Sequence, residues 1–106
     1  MNATAIKKRS RLAQKPPWQF CLYVADQTPK SLLAFENLQR FCEERFPGQY
    51  HIEVIDVLAE PKWARADNVV ALPTLVQKSP SPIRRVIGDL SNSQRILKGL
   101  HMRLSA

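Results

Sequence analysis

The run Trp18-Gln19-Phe20-Cys21-Leu22-Tyr23-Val24-Ala25 constrains the fold more than any other feature of the chain. A half-exposed strand alternates apolar and polar residues, whereas a nearly unbroken apolar, β-prone run predicts a strand covered on both faces, and so a central one. The residues that follow supply a cover. Asp26-Gln27-Thr28-Pro29 sets a capping Thr before a Pro at the first helical position. Leu32, Phe35, Leu38, Phe41, Cys42 and Phe46 then recur at helical spacing, which predicts a four-turn helix ending at Pro47-Gly48. From Tyr50 to Leu58 the pattern begins with alternation and ends in a branched apolar stretch, as in a second strand entering the core. Strand, helix and strand make a βαβ unit with parallel strands.

Pro61 opens a short helix over Lys62 to Asp67, with Trp63 and Ala66 expected on one side. Val69 to Val76 is strand-like except for Pro73, which cannot donate a ladder hydrogen bond and so predicts an edge or a bend. The spacer Ser79-Pro80-Ser81-Pro82 leads to a strand over Ile83 to Ile87, which stops at the turn Gly88-Asp89, so these two strands form a hairpin. Ser91-Asn92-Ser93-Gln94 has the form of a capping box, and Ile96, Leu97, Leu100 and Leu104 share one face of a last helix. The order βαβαββα describes an α/β domain with the thioredoxin topology.

At 106 residues the chain is one domain by size. Its 44% hydrophobic and 24% charged residues are those of a globular protein, and no apolar run nears the ~18 residues of a membrane span. The net charge of +7 is unevenly placed. Lys7, Lys8, Arg9, Arg11 and Lys15 occur in residues 1–15 without an acid, leaving 11 basic and 9 acidic residues, a net +2, for the rest. We therefore read 1–15 as a basic, solvated arm and 16–106 as the domain. The N-terminal residues hold no apolar leader core, so a secretory signal is not expected, and an Arg-rich transit peptide is the weaker alternative. Two cysteines are too few for a disulfide framework or a zinc site, and a reducing cytoplasm suits them.

A thioredoxin-type enzyme needs a cysteine pair at the start of the first helix, where the helix dipole stabilises the thiolate. Here that position reads Asp26-Gln27-Thr28-Pro29-Lys30-Ser31, with no sulfur. Cys21 lies mid-strand and Cys42 within the helix stripe, as packing residues do. His51 and His101 lack metal-ligand spacing and are read as surface residues, Asp56 as a strand-end hydrogen-bonding residue, and no glycine-rich loop cradles a phosphate, so no cofactor is expected. Arg84-Arg85 with Lys78 would form a basic stripe. Even so, Trp18, Tyr23 and Tyr50 sit in strands apolar enough to be core and lack the glycine-flanked aromatic run of an RNA-binding sheet.

Several blocks together resemble the KaiB family of circadian clock proteins: Leu22-Tyr23-Val24-Ala25 with Thr28-Pro29 and Ser31, Val54-Ile55-Asp56-Val57-Leu58, Pro73-Thr74-Leu75, and Ile83-Arg84-Arg85-Val86-Ile87-Gly88-Asp89-Leu90-Ser91. The resemblance spans about residues 18–100. It implies a non-catalytic, metamorphic protein that passes between an oligomeric ground-state fold, with the half after the second strand rearranged, and a monomeric thioredoxin-like fold. The latter binds a KaiC-type ATPase ring, captures a KaiA-like protein and displaces a SasA-like kinase. Two packings that differ by a few kcal/mol make such switching physically reasonable.

Residue by residue, the resemblance gives Pro73, Pro80 and Pro82 as prolines of the switching half, Gly88 and Asp89 as the turn that differs between folds, and Arg84 and Arg85 as a basic pair. On this reading the X-Pro bonds slow the exchange of the two arrangements. The chain departs from cyanobacterial members at Ser81 of Pro80-Ser81-Pro82, at Leu33, Glu53 and Asn68, and in its non-acidic end His101-Met102-Arg103-Leu104-Ser105-Ala106. These departures bear on KaiA capture and on the balance of folds, and imply a divergent or non-cyanobacterial member. The sequence leaves open a homo-dimer or a homo-tetramer, and a clock, a timer or a thioredoxin-like module of stress response. The rival of another class is a nucleic-acid-binding module acting through the basic arm.

Overall fold

A computed structural model describes residues 16–102 of the chain. The basic arm expected over residues 1–15 and the Leu104 assigned to the last helix lie outside the described residues. The elements are β1 (Trp18–Val24), α1 (Pro29–Arg45), β2 (Tyr50–Asp56), α2 (Pro61–Ala66), β3 (Thr74–Ser79), β4 (Arg84–Ile87) and α3 (Ser93–Gly99). This is the βαβαββα order that the sequence pattern predicts. The strands form one sheet in the order β2-β1-β3-β4. β1 runs parallel to β2 and antiparallel to β3, and β3 and β4 form the antiparallel hairpin.

The two-faced character of β1 organises the core. Phe20, Leu22 and Val24 point to one face, where they meet Ala34, Leu38, Phe41 and Cys42 of α1, Ile96 and Leu97 of α3, and Leu75 and Val86. Cys21 and Tyr23 alternate to the other face and pack with Ile55, Ala64 and Val76. Leu38 is fully buried in the larger cluster, a position where truncation to Ala typically costs about 2–5 kcal/mol. Trp18 closes one end of that cluster by stacking on Phe46, with ring centroids 4.1 Å apart and planes 18° from parallel.

Several expectations need correction. Leu32 lies on the predicted apolar stripe of α1 but is 52% exposed, because the inward face is set by Ser31, Ala34, Leu38, Phe41 and Cys42. β2 is an edge strand that ends at Asp56, not a strand entering the core. Only Ile55 is buried, and Val54 and Leu58 are exposed. In α2 the buried side is Ala64 and the following Asp67, while Trp63 and Ala66 face outward. Pro73 marks a bend and not an edge: β3 starts one residue later and lies between β1 and β4. The cap of α3 is Asn92, whose side chain accepts from the Gln94 and Arg95 amides, so the Ser91 capping box does not form.

Candidate functional site

The sheet topology places the start of α1 and the carboxyl ends of β1 and β2 at one end of the molecule. Thr28 caps α1 there, its Oγ1 accepting from the Ser31 amide at 3.1 Å. No thiol stands at this end. Cys21 and Cys42 are free and buried. Burial raises the Cys21 thiol, and burial together with the Glu43 charge pushes Cys42 up to about 12, so neither is a thiolate near neutral pH. A cleft of about 320 Å³ opens beside the helix start, lined by Val24, Ser31, Leu32, Phe35 and Val54 with Asp26, Gln27 and Asp56. Asp56 acts as a strand-end acceptor, taking hydrogen bonds from the Leu58 amide at 2.9 Å and the Asp26 amide at 3.3 Å. The cleft thus combines an apolar lining with carboxylates, and no thiol lines it.

The residues singled out in the half after β2 divide between two ends of the β3–β4 hairpin. Pro73 is buried, follows a cis peptide bond, and its carbonyl accepts from the Gly88 amide at 2.9 Å. Because Tyr23 pairs with Thr74, this contact lies level with the end of β1. Gly88 has φ of 122°, a conformation open to glycine and disfavoured for other residues. Asp89 braces the same turn: its side chain accepts from the Ser91 amide, and its carbonyl from Asn37 Nδ2 on α1. Those Ser91 bonds hold the Asp89 carboxyl below its usual value. Pro80 and Pro82 each follow a cis bond and are exposed at the other end, roughly 17 Å away along β3. There the Pro80 carbonyl accepts from Gln77 Nε2 at 2.7 Å. Pro73, Gly88 and Asp89 therefore form one cluster, Pro80 and Pro82 a second, and Arg84 and Arg85 lie between them on β4.

The residue that sequence reasoning missed is Asp67. It is 6% exposed at the end of α2 and gathers three segments around its carboxylate and carbonyl. Tyr23 Oη on β1 donates to Oδ2, Lys78 Nζ on β3 reaches Oδ1 at 2.8 Å and Oδ2 at 2.9 Å, and Arg85 Nε on β4 donates to the Asp67 carbonyl at 2.8 Å. Burial alone would raise the Asp67 carboxyl. The Lys78 and Tyr23 hydrogen bonds and the charges of Lys78 and Arg85 outweigh it and hold the group below its ordinary value. A signal was available: an acid one turn past the buried Ala64 of a short helix, with cations on the two strands that follow.

This arrangement also alters the basic stripe. Lys78 and Arg85 turn to Asp67, so they are not a free cationic surface. Tyr23 is fully buried, Trp18 is stacked on Phe46, and the Tyr50 hydroxyl donates to Glu43, so these aromatics are not an open base-stacking platform. His51 and His101 are exposed. Among the described residues no three His, Cys, Asp or Glu side chains are grouped to hold a metal ion, and no helix is long and apolar enough to cross a membrane.

Comparison with known proteins fits this geometry. Residues 21–102 match the KaiB domain model. The circadian clock oscillator protein KaiB of Thermostichus vulcanus is 47% identical over 81 residues, covering 76% of this chain and 75% of that protein. KaiB of Prochlorococcus marinus strain MIT 9312 is 42% identical over 91 residues, covering 86% and 87%. Among solved structures, the N-terminal domain of Synechococcus elongatus SasA superposes with a TM-score of 0.68 at 19% identity, covering 94% of this chain and 98% of that one. Mitochondrial thioredoxin 3 from Saccharomyces cerevisiae gives 0.64 at 20% identity, covering 81% and 78%. The structural likenesses show a thioredoxin-like fold, and with a family model matched over most of the domain and relatives at this identity, the chain belongs to the KaiB family.

Proposed function

We propose that this chain is a non-catalytic regulator of a clock or timer, cytoplasmic, that binds a KaiC-type ATPase ring in the thioredoxin-like arrangement. It reaches that arrangement by rearranging the half from about Pro61 onward, leaving an oligomeric ground state. The observation that carries the reading is the arrangement itself in a KaiB-family chain: β4 over Arg84–Ile87 is followed by α3 from Ser93, with no thiol at the helix position where a redox enzyme needs one. The shared fold of the SasA N-terminal domain supports a further element of the reading, competition between this chain and a SasA-like kinase for one surface. Pro73, Pro80, Pro82, Arg84, Arg85, Gly88 and Asp89 are the residues through which the change of fold and the contact with the ring take place, and a KaiA-like protein is a further partner. A ring that binds one form must supply only the free-energy difference between the two. The test is size-exclusion chromatography of the chain mixed with a KaiC-type double-ATPase ring. Co-elution that grows over a day of incubation is expected, and separate elution at the end of the day overturns the reading.

A further inference from the structure

The half of the domain from Pro61 onward joins the β1–α1–β2 half through the β1–β3 backbone ladder and a few side-chain hydrogen bonds, and one of the side-chain contacts differs from the rest. The Asn37 bond to the Asp89 carbonyl and the Ser79 bond to the Pro17 carbonyl each reach a main-chain oxygen from a half-exposed or exposed site. Asp67 is buried, and its partners come from three strands far apart in sequence: Tyr23, Lys78 and Arg85. On the β1 side Tyr23 is itself fully buried, and its hydroxyl also lies 3.2 Å from the Trp63 carbonyl of α2. Any rearrangement that lifts α2 from the sheet, or moves the β3–β4 hairpin relative to β1, separates the carboxylate from these partners. Removing one partner leaves a buried polar group unpaired where these segments meet, so the loss falls on the thioredoxin-like arrangement.

We propose that Asp67 is the latch of the thioredoxin-like state, a positioning residue whose bonds to Tyr23, Lys78 and Arg85 set how much of the chain adopts this arrangement. The proposal deepens the fold-switching reading and rests on it for its consequence at the ring. The geometry of the latch stands apart from that reading. The geometry also ranks the partners. Lys78 forms an ion pair that bridges both carboxylate oxygens, with its side chain 37% exposed, whereas Tyr23 supplies a buried neutral bond. Arg85 bonds the main chain and supports the position of Asp67 without neutralising it directly.

The test uses the full chain in ¹⁵N-labelled form, with resonances of residues 61–102 reporting the arrangement, for wild type, Asp67→Asn, Lys78→Met and the double variant. Asp67→Asn is expected to lower the ratio of thioredoxin-like to other forms by about tenfold, equivalent to about 1.4 kcal/mol. Lys78→Met is expected to lower it less, and the double variant to lose less than the sum of the two. Unchanged populations in Asp67→Asn, or strict additivity of the two substitutions, overturn the latch. Should Asp67→Asn fail to fold, Lys78→Met and Tyr23→Phe carry the same test through their own coupling. If wild type shows one arrangement under every condition, the switching reading fails. The latch is then read from the coupling of the two substitutions in urea unfolding, where non-additivity supports it and additivity overturns it.

Discussion

Asp67 shows how much one side chain changes the account of this domain. Removing the Tyr23 hydroxyl leaves the carboxylate with Lys78 alone, so Tyr23→Phe should destabilise the fold by about 1–3 kcal/mol in urea unfolding. The pH dependence has a definite sign. The folded carboxyl lies below its ordinary value, so its contribution is complete above the unfolded value of about 3.9 and is lost as pH falls through the folded value. Wild type should therefore lose more stability than Asp67→Asn between about pH 5 and about pH 2, measured by urea unfolding at each pH. An equal loss in the two would contradict the assigned bonds. The thiols give a second prediction at this scale. Cys42 is inaccessible and held in its neutral form by burial, and Cys21 is nearly as covered. A thiol reagent should label both slowly in the native state and rapidly in denaturant, and the Cys21→Ser, Cys42→Ser double variant should lose stability, with no insulin-reducing activity present beforehand to lose.

At the scale of elements, α3 meets β4 through a glycine. A Cβ at Gly99 would stand 2.6 Å from Val86 Cγ2, and Val86 is buried. Alanine favours a helix over glycine by about 1 kcal/mol, but overpacking costs about 1–3 kcal/mol, so Gly99→Ala should destabilise the domain. In a Val86→Ala background the same substitution should become neutral or stabilising, as read by thermal unfolding. Much of the element order was legible because its signals are local. The unbroken run of β1, Thr28-Pro29 and the Gly88 turn each declare themselves within a few residues. What was illegible depends on partners distant in the chain. The alternation of His51 and Glu53 marks a solvent-facing side of β2 but not its place at the sheet edge, and nothing near Pro73 says that β3 lies between two strands. Leu32 has the spacing of a core residue, and only the position of the sheet leaves it outside. The residues proposed for the change of fold were named through likeness to a family, whereas Asp67 and its three partners come together only in the folded chain.

For the whole molecule, charge and topology reinforce each other. Residues 26–60 hold seven acidic and three basic side chains, while residues 61–102 hold two acidic and seven basic ones. The sheet order sets these halves apart, with β2 at one edge and β4 at the other. The half expected to rearrange is therefore also the cationic half, and one of its two acids, Asp67, pairs with Lys78 of β3 and bonds Tyr23 of β1. That leaves a domain with the thioredoxin layout, no thiol chemistry at its helix start, and a buried polar contact where the two halves join. The most direct test is NMR of the labelled chain bound to a KaiC-type ring. Strand shifts at Arg84–Ile87 followed by helix shifts at Ser93–Gly99 in the bound state are predicted. A bound state with helical shifts at 84–87, or no binding at all, would contradict the account.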